Sequence, residues 1–316
     1  MTYAQYGLIE ATDYNNLVGG NPVATSGKLN TVWATGSAGA GYGQPAEGNV
    51  TTGDSITASK WANLVNKTAN AGTHQGSSLT AVTAPASGGT ITYLSAIPTN
   101  LTTIYTNRYN ASSQSGTTSN TVTVASTWSS IATFTQTATF ANGDAARYFF
   151  NSGGQLAITC SHPSGTGINL LLNNLASNVG TVVVSALNSG TASIGGTTYS
   201  GVTKIGGGGN SPTIGTNSGY YGLTTANANI FYQTASTGPS GYLSTNINIF
   251  AKTNGTVGSN GDVGNVITIY TVWDEIPNGL VVSTGSVTTL TVRPPEVTNI
   301  ANTWGTITLA GSVTQS

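Results

Sequence analysis

Apolar and polar residues alternate along short runs from about residue 121 onward, and this period of two constrains the fold more than any other feature. Thr or Asn fills the polar positions, as in strands that have one face in a core and the other in water. Turn clusters rich in Asn and Gly separate the runs, among them residues 142–144, 151–154, 254–255 and 260–262. We therefore predict an antiparallel β-sandwich or jelly-roll-like region over residues 113–316.

Residues 1–112 contain helical patterns instead. Segments 9–18 and 56–65 both place an aromatic residue ahead of Leu and Val at i+3 and i+4, which predicts two short helices. An apolar stripe this narrow is not stable alone, so both helices need a partner surface. Further helices are predicted over residues 98–109 and, inside the β region, 168–176. The chain is expected to be mainly β, with a mixed, helix-containing anchoring or assembly domain ahead of the sandwich.

Ionic residues are scarce, because Asp, Glu, Lys and Arg make up 5% of the chain, against about 25% in a typical soluble domain. Thr, Ser, Asn and Gln must then cover the exterior, and such surfaces associate readily. A net charge of −1 with 38% hydrophobic residues indicates a folded chain. The eight Lys and Arg residues are dispersed, so we expect no nucleic-acid binding. The sequence shows neither a cationic leader nor an apolar run of about 18 residues. We therefore expect neither secretion nor membrane insertion.

Candidate catalytic and metal-binding residues are few. Cys160 is the single cysteine and follows Leu156 and Ile158 at a period of two, which favours a place in the core over a nucleophilic role. His74 follows the second repeat, where the C-terminus of a helix favours it, and it lies in no diagnostic motif. Cys160 and His162 are spaced like two metal ligands, but no second pair completes a site. We predict no catalytic residue, no metal and no cofactor.

Two adjacent carboxylates offer the one alternative in which the chain is an enzyme. Asp274 and Glu275 follow Trp273, and two carboxylates beside an indole could flank a sugar and cleave a polysaccharide. Adjacent strand residues point to opposite faces, however, which favours a turn at the end of a strand. Asp144 and Asp262 lie in glycine-containing clusters without the spacing of a calcium loop, so they are predicted to be turn residues.

Aromatic residues are the candidates for contact with a glycan or a protein partner. Tyr220, Tyr221, Tyr232 and Trp273 could stack against a sugar at an exposed tip, although packing in the β core is the favoured alternative. The four consecutive glycines at 206–209 predict an exposed loop, because ordering glycine costs the most backbone entropy.

The stretch Phe-Ala-Asn-Gly-Asp-Ala-Ala-Arg-Tyr-Phe-Phe-Asn-Ser-Gly-Gly-Gln-Leu at residues 140–156 resembles a segment of virion structural proteins of marine tailed phages, especially contractile-tailed cyanophages. The resemblance extends over most of the chain, through residues 3–9, 41–44, 73–76 and 219–224. It implies a place in the virus particle and carries over no catalytic residue. Within the stretch, Arg147 is expected in an aromatic strand, where it would pair with Asp144 or cover a ring.

We therefore expect a non-enzymatic structural subunit of a phage virion, made in the host cytoplasm and placed in a tail, neck or fibre. The helical region would anchor to other virion proteins and the β region would project, with a homo-oligomer, a trimer, as the expected assembly. The alternatives are a host-attachment adhesin that binds a surface glycan, a capsid decoration protein and a self-assembling extracellular filament. An enzyme, a polysaccharide depolymerase acting through Asp274 or Glu275, is the remaining hypothesis.

Overall fold

A computed structural model of the chain describes residues 10–19, 28–36, 39–51, 53–89, 95–114 and 116–316. The prediction of a mainly β fold with helices near the N-terminus is confirmed. The strands are β1 (Thr118–Thr123), β2 (Ile131–Thr139), β3 (Gln155–Ser161), β4 (Thr181–Val184), β5 (Ala192–Ile194), β6 (Thr197–Tyr199), β7 (Val202–Ile205), β8 (Thr213–Ile214), β9 (Ala228–Thr234), β10 (Asn246–Thr253), β11 (Val266–Asp274), β12 (Val287–Arg293) and β13 (Thr308–Gln315).

The strands form two large antiparallel sheets and one hairpin. A five-stranded sheet has the order β1-β12-β3-β4-β7, and a six-stranded sheet has the order β13-β2-β11-β10-β9-β8. Strands β5 and β6 form a separate hairpin, and Ile194 of β5 also makes a parallel bridge to Ala111. Early strands pair with late strands in both sheets, since β1 pairs with β12 in one sheet and β2 lies between β11 and β13 in the other. This arrangement brings the inner faces of the two sheets together as a sandwich.

The core of the sandwich follows from the alternation. Inward residues of β2 and β11, such as Phe134 and Trp273, are fully buried, and so are their counterparts Ile158 and Leu290 in the other sheet. Leu290 and Ile158 lie opposite each other in the register of β12 and β3. Apolar residues at a period of two therefore supply one buried face per strand, as predicted.

Six α-helices accompany the sheets in the described residues. The predicted helices at both repeats, near residue 100 and after residue 168 are all present, the second repeat as a long helix capped by Thr57. The last of these helices contacts strands of both sheets and fills the space between them. The bounds are α1 (Ala11–Val18), α2 (Leu29–Val32), α3 (Ala58–His74), α4 (Ala96–Thr106), α5 (Gly143–Asn151) and α6 (Ile168–Val179), and a 3-10 turn lies at Tyr220–Gly222.

The expected turn at 142–144 and the aromatic strand around Arg147 are wrong, because α5 occupies this segment. Asn142 caps the helix by accepting a hydrogen bond from the backbone N–H of Ala145 at 2.8 Å. The helix buries Ala146, Phe149 and Phe150, which share one face at i, i+3 and i+4.

The helical and β regions share one hydrophobic core. The main cluster of buried residues includes Tyr14 and Trp61 from the helical region and extends to Trp304 beyond β12. A smaller cluster, with Ile194 and Tyr199 of the hairpin, covers the outer face of the five-stranded sheet. The division at residues 112 and 113 remains a prediction about organisation, and residues 3–9 lie outside the described part of the chain.

Candidate functional site

A dense network of hydrogen bonds surrounds Arg147 on α5. Its guanidinium is fully buried. One terminal nitrogen donates to the backbone carbonyls of Thr35 at 3.0 Å and Gly39 at 2.5 Å, and the other donates to Asp144 Oδ1 at 2.8 Å. The guanidinium carbon also lies 4.6 Å from the centre of the Tyr148 ring. Both predicted partnerships of Arg147, with Asp144 and with an aromatic ring, are therefore present, but on a helix.

Asn151, at the last turn of α5, ties the same helix to two other segments. Its amide nitrogen donates to the carbonyls of Gly39 at 2.7 Å and Gly41 at 2.9 Å. Its amide oxygen accepts from the Tyr221 hydroxyl at 2.5 Å. Burial raises the pKa of that hydroxyl, so it stays protonated and keeps donating.

Glycines allow these segments to approach. A Cβ on Gly143 would lie 1.9 Å from the carbonyl oxygen of Asp262, and one on Gly39 would lie 2.3 Å from that of Gly258. Gly39 also has a φ of +80°, which other residues rarely adopt. The glycines next to α5 are therefore needed for close contact, and not only for the turns that the sequence predicted.

His74, the last residue of α3, reaches α5 as well. Its Nε2 lies 3.0 Å from the Ser152 carbonyl oxygen, and its ring meets Tyr42 edge-on at 5.4 Å between centroids. The nearest carboxylate, Glu296, is 4.0 Å from Nδ1. Burial is the main effect on this imidazole and lowers its pKa, so the neutral form donates from Nε2 to Ser152. His74 is fully buried, which supports a structural role over that of a catalytic base.

Four of the stretches that carry the resemblance meet at this place, which we name the junction: α5 together with residues 39–44, 73–76 and 219–222. Phe150 stacks on Tyr220 at 4.4 Å between centroids, and Gln75 donates to the Tyr42 hydroxyl at 2.7 Å. These stretches are far apart along the chain and contiguous in the fold. The resemblance therefore falls on residues that hold the molecule together.

The outer faces of the two sheets differ. Ile194 and Tyr199 of the β5–β6 hairpin cover Ala157 and Val183 on the five-stranded sheet. The outward side chains of β2, β9, β10, β11 and β13 in the six-stranded sheet are nearly all partly or fully exposed. We name this second surface the open face. Its charged outward positions among the described residues are Lys252 and Asp274.

One half of the open face is a field of hydroxyl groups on β2 and β13. Outward residues of β2 are Ile131 followed by threonines at 133, 135, 137 and 139, and outward residues of β13 lie directly opposite these threonines in the antiparallel register. The opposed pairs are Thr133 and Thr314, Thr135 and Ser312, Thr137 and Ala310, and Thr139 and Thr308. Such a surface hydrates well and carries no charge that would repel a neighbour.

The other half of the open face is aromatic. Phe250 of β10 lies opposite Tyr270 of β11, and the Lys252 ammonium lies 5.3 Å from the centre of the Tyr270 ring. Tyr232 of β9 lies opposite Asn248 of β10. Phe250 and Tyr270 were not predicted as contact residues, although both occupy the outward positions of their alternating runs, where an aromatic residue is not needed for the core.

The four aromatic residues predicted as partner contacts fall in different places. Trp273 and Tyr220 are fully buried, so their assignment as surface contacts is wrong and the core alternative holds for both. Tyr221 is half-buried and bonded to Asn151 inside the junction. Tyr232 lies on the open face. The fold therefore brings one of the four, Tyr232, to a surface where a partner can reach it.

The remaining chemical candidates have structural partners. Glu275 is buried and accepts from the backbone N–H groups of Gly279 at 3.0 Å and Leu280 at 3.4 Å, while burial raises its pKa. Burial also raises the pKa of the Cys160 thiol to about 12, so the reactive thiolate is suppressed. His162 bonds to Ser286 at 2.9 Å.

A groove of about 310 Å³ lies between α3, α4 and the segment that follows α3. Val65, Leu79, Val82 and Ile97 give it an apolar lining, with Thr68 among the polar residues. No titratable side chain is among the described residues that line it. The groove therefore offers shape and apolar surface, and no group for acid or base chemistry.

No protein-family model, curated protein or solved structure matches this chain. Within the described residues, no set of three His, Cys, Asp or Glu side chains is close enough to hold a metal ion. Membrane-spanning length and apolarity are reached by none of the helices in the described ranges.

Proposed function

We propose that this chain is a structural subunit of a phage virion, a component of its tail, neck or fibre. The subunit assembles through neutral polar surfaces. In this proposal the open face of the six-stranded sheet is the main contact with neighbouring subunits. The buried junction keeps the subunit rigid, and no reaction is assigned to it.

The observation that carries the proposal is the character of the open face. Rows of Thr and Ser hydroxyls on β2 and β13 adjoin an aromatic area, and Lys252 is the one cation among the outward residues of these described strands. Soluble monomers ordinarily keep apart through interspersed surface charge. A rigid, almost uncharged sheet face lacks this charge repulsion, and it suits a subunit that is permanently packed against other subunits.

The resemblance to virion structural proteins adds a second argument. Its motifs form the junction, where residues 41–44, 73–76, 140–156 and 219–224 contact one another. A resemblance spread over contacting interior segments points to a shared fold more than to a shared reaction. It supports membership of the particle and leaves the subunit's surfaces free to differ.

The helical region is the proposed attachment to other virion proteins. It carries four of the eight Lys and Arg residues and four of the nine Asp and Glu residues in about a third of the chain. Charged groups add specificity to an interface more than they add affinity. The helical region therefore suits a defined site on the particle, and the β region suits repeated packing.

Two measurements test the proposal. Mass spectrometry of purified particles of the phage that encodes this chain should detect it in a fixed ratio to the capsid protein, and its absence from clean particles refutes the proposal. In solution, the double variant Thr135→Lys/Thr137→Lys should weaken association of the purified chain, because it places like charges on the open face.

The matched control carries the same added charge elsewhere. Thr99 and Thr102 are exposed on α4, whose main contacts are with α1, α2 and α3. The variant Thr99→Lys/Thr102→Lys should therefore associate as the wild type does. Equal loss of association in both variants would show that net charge, and not the open face, controls assembly.

Glycan binding is a second candidate, favoured by the aromatic half of the open face. Tyr232, Phe250 and Tyr270 offer rings on a solvent-facing sheet, beside the amide of Asn248. Aromatic rings with a nearby polar group are the usual platform for a sugar. A glycan array should detect binding that Tyr232→Ala and Phe250→Ala abolish and Thr135→Ala preserves, and a silent array rules out this candidate.

A further inference from the structure

Strand β13 presents an unpaired edge. It lies at one end of the six-stranded sheet, and β2 is its only partner strand among the described residues. Ser316 donates its backbone N–H to Ile131, and hydrogen-bonded positions alternate along an antiparallel pair, so Thr314, Ser312, Ala310 and Thr308 bond to β2. Leu309, Gly311, Val313 and Gln315 therefore turn their backbone N–H and C=O groups away from the sheet.

Nothing in the strand protects this edge. Folded proteins usually block an edge with Lys, Pro, a bulge or a very short strand. Residues 305–316 contain no charged residue and no proline, and the pairing of β13 with β2 has no register shift over its eight residues. The opposite edge of the same sheet, β8, has only two residues. The sheet is therefore closed to strand addition at β8 and open to it at β13.

The unpaired edge is self-complementary. If two copies align antiparallel with Gly311 opposite Gly311, the outward-bonding residues meet, and Leu309 lies beside Val313 of the other copy. Both side chains are half-exposed and pack against the edge of the core, so this register covers apolar surface as well. Registers shifted by two residues place Leu309 beside Gly311 or Gln315 and lose that contact.

The contact between β13 and β1 explains why a glycine, Gly311, lies at the centre of β13. A Cβ there would lie 2.6 Å from both Asn120 Oδ1 and Val122 Cγ2 of β1. The glycine thus lets β13 lie close over β1, and it keeps the two-fold axis free of side chains. The same residue serves the fold of one copy and the approach of a second.

We propose that two copies of this chain pair through β13, antiparallel and centred on Gly311, so that their six-stranded sheets become one continuous sheet. Three outward pairs in this register exchange about six backbone hydrogen bonds. The partner is a second copy because the strand matches itself, in sequence and in backbone register. The inference rests on the proposed function in treating the chain as an assembling subunit.

The first test uses the purified full-length chain and sedimentation across a range of concentrations. Val313→Pro removes an outward N–H that the β2 ladder does not use, and Ser312→Lys places like charges near the two-fold axis. Each should raise the dimer dissociation constant about tenfold or more. Ile214→Lys, on the opposite edge of the same sheet, should leave the constant unchanged, and circular dichroism verifies that all variants are folded.

The second test fixes the register. In the proposed pair Ala310 lies opposite Ser312 of the other copy, so Ala310→Cys and Ser312→Cys, each in a Cys160→Ala background, should form a disulfide-linked dimer efficiently only when mixed. Cross-linking of either variant alone to the same extent as the mixture would overturn the register.

A chain that is monomeric at all concentrations, or an oligomer insensitive to both edge variants, overturns strand pairing. An oligomer that is insensitive to both edge variants, for example a trimer, would still be compatible with the proposed virion function. Absence of the chain from purified particles would refute that function and leave a β13-dependent dimer intact.

Discussion

The junction around α5 and the open face of the six-stranded sheet differ in where their polar atoms find partners. In the junction, Arg147 and Asn151 are fully buried and bond to backbone carbonyls of a distant segment, including that of Gly39. On the open face, the hydroxyls of residues such as Thr135 and Ser312 point into solvent from adjacent strands. The junction bonds the terminal nitrogens of Arg147 and the amide of Asn151 inside the chain, while Arg147 Nε and Tyr220 Oη have no hydrogen-bond partner among the described residues. The open face leaves its hydroxyls for water or a neighbouring molecule.

The difference shows how a chain with so few charges distributes them. Arg147 and Asp144 form an ion pair at 2.8 Å in the junction, and Glu275 is buried in a loop at the other end of the sandwich. Charge in the β region is thus largely committed to the chain's own structure. The remaining surface of the β region is nearly neutral, so a partner bound there would be recognised by shape, hydroxyl contacts and backbone pairing, and not by long-range attraction.

The largest effect is expected from Arg147→Met, which removes the buried guanidinium together with its hydrogen bonds to the carbonyls of Thr35 and Gly39 and its ion pair with Asp144. We expect the free energy of unfolding to fall by about 3–5 kcal/mol, measured by urea denaturation. Arg293→Met, at the half-exposed end of β12, should change it by about 0.5 kcal/mol or less. Similar losses in both variants would contradict a special role for the junction.

A smaller loss is expected from Gly143→Ala. Alanine ordinarily stabilises a helix relative to glycine by about 1 kcal/mol. Here its Cβ would lie 1.9 Å from the Asp262 carbonyl oxygen, so we expect a loss of about 1–3 kcal/mol in the free energy of unfolding instead. Gly208→Ala, whose Cβ would meet only Asn178 Oδ1 at 3.4 Å, is the matched control. A stabilised Gly143→Ala variant would show that α5 does not press on the neighbouring loop.

The local sequence pattern was sufficient to predict a strand and its buried face where that face is buried over the whole length of the strand. The runs at 246–250 and 266–273 became β10 and β11, each with one face buried as expected, because alternation encodes one buried face. It failed at α5, where Asn-Gly resembled a turn and three aromatic residues resembled a strand. The signals for the helix were Asn142 as a cap and the spacing of Ala146, Phe149 and Phe150.

The sites divide in the same way. The outward orientation of Phe250 and Tyr270 could be predicted from the alternation alone. Phe250, for example, lies two residues from both Asn248 and Lys252 and therefore on the same face of the strand. The junction was not accessible, because the bond between Asn151 and Gly39 joins residues that only the complete topology brings together. Sequence pattern predicts which face a residue occupies, and it does not predict which distant segment that face will meet.

Acid should weaken the junction, with little effect above neutrality. Burial lowers the pKa values of His74 and His162 below their unfolded value of 6.5. The unfolded chain then binds more protons than the folded chain below about pH 6.5, so stability is full above that pH and falls as pH decreases. Urea midpoints measured from about pH 7.5 to about pH 5.5 should decline.

The variant His74→Gln sharpens this test, because glutamine can still donate to the Ser152 carbonyl and does not titrate. Its decline with pH should be shallower than that of the wild type, with the remainder due to His162. An unchanged slope would show that His74 is not the titrating group in the junction.

The smallest effect on stability is expected on the open face itself. Thr135 and Gln136 are neighbours on β2 with opposite orientations, since Thr135 points outward and Gln136 is fully buried and donates to Asn120 of β1 at 2.8 Å. Thr135→Lys should change the free energy of unfolding by about 0.5 kcal/mol or less, because an outward ammonium remains hydrated. Gln136→Lys should be severely destabilising, because it leaves a charge unpaired between the sheets. Unfolding curves of the two variants compare the two surfaces of one strand directly, and a large loss for Thr135→Lys would mean that the face described as open is covered.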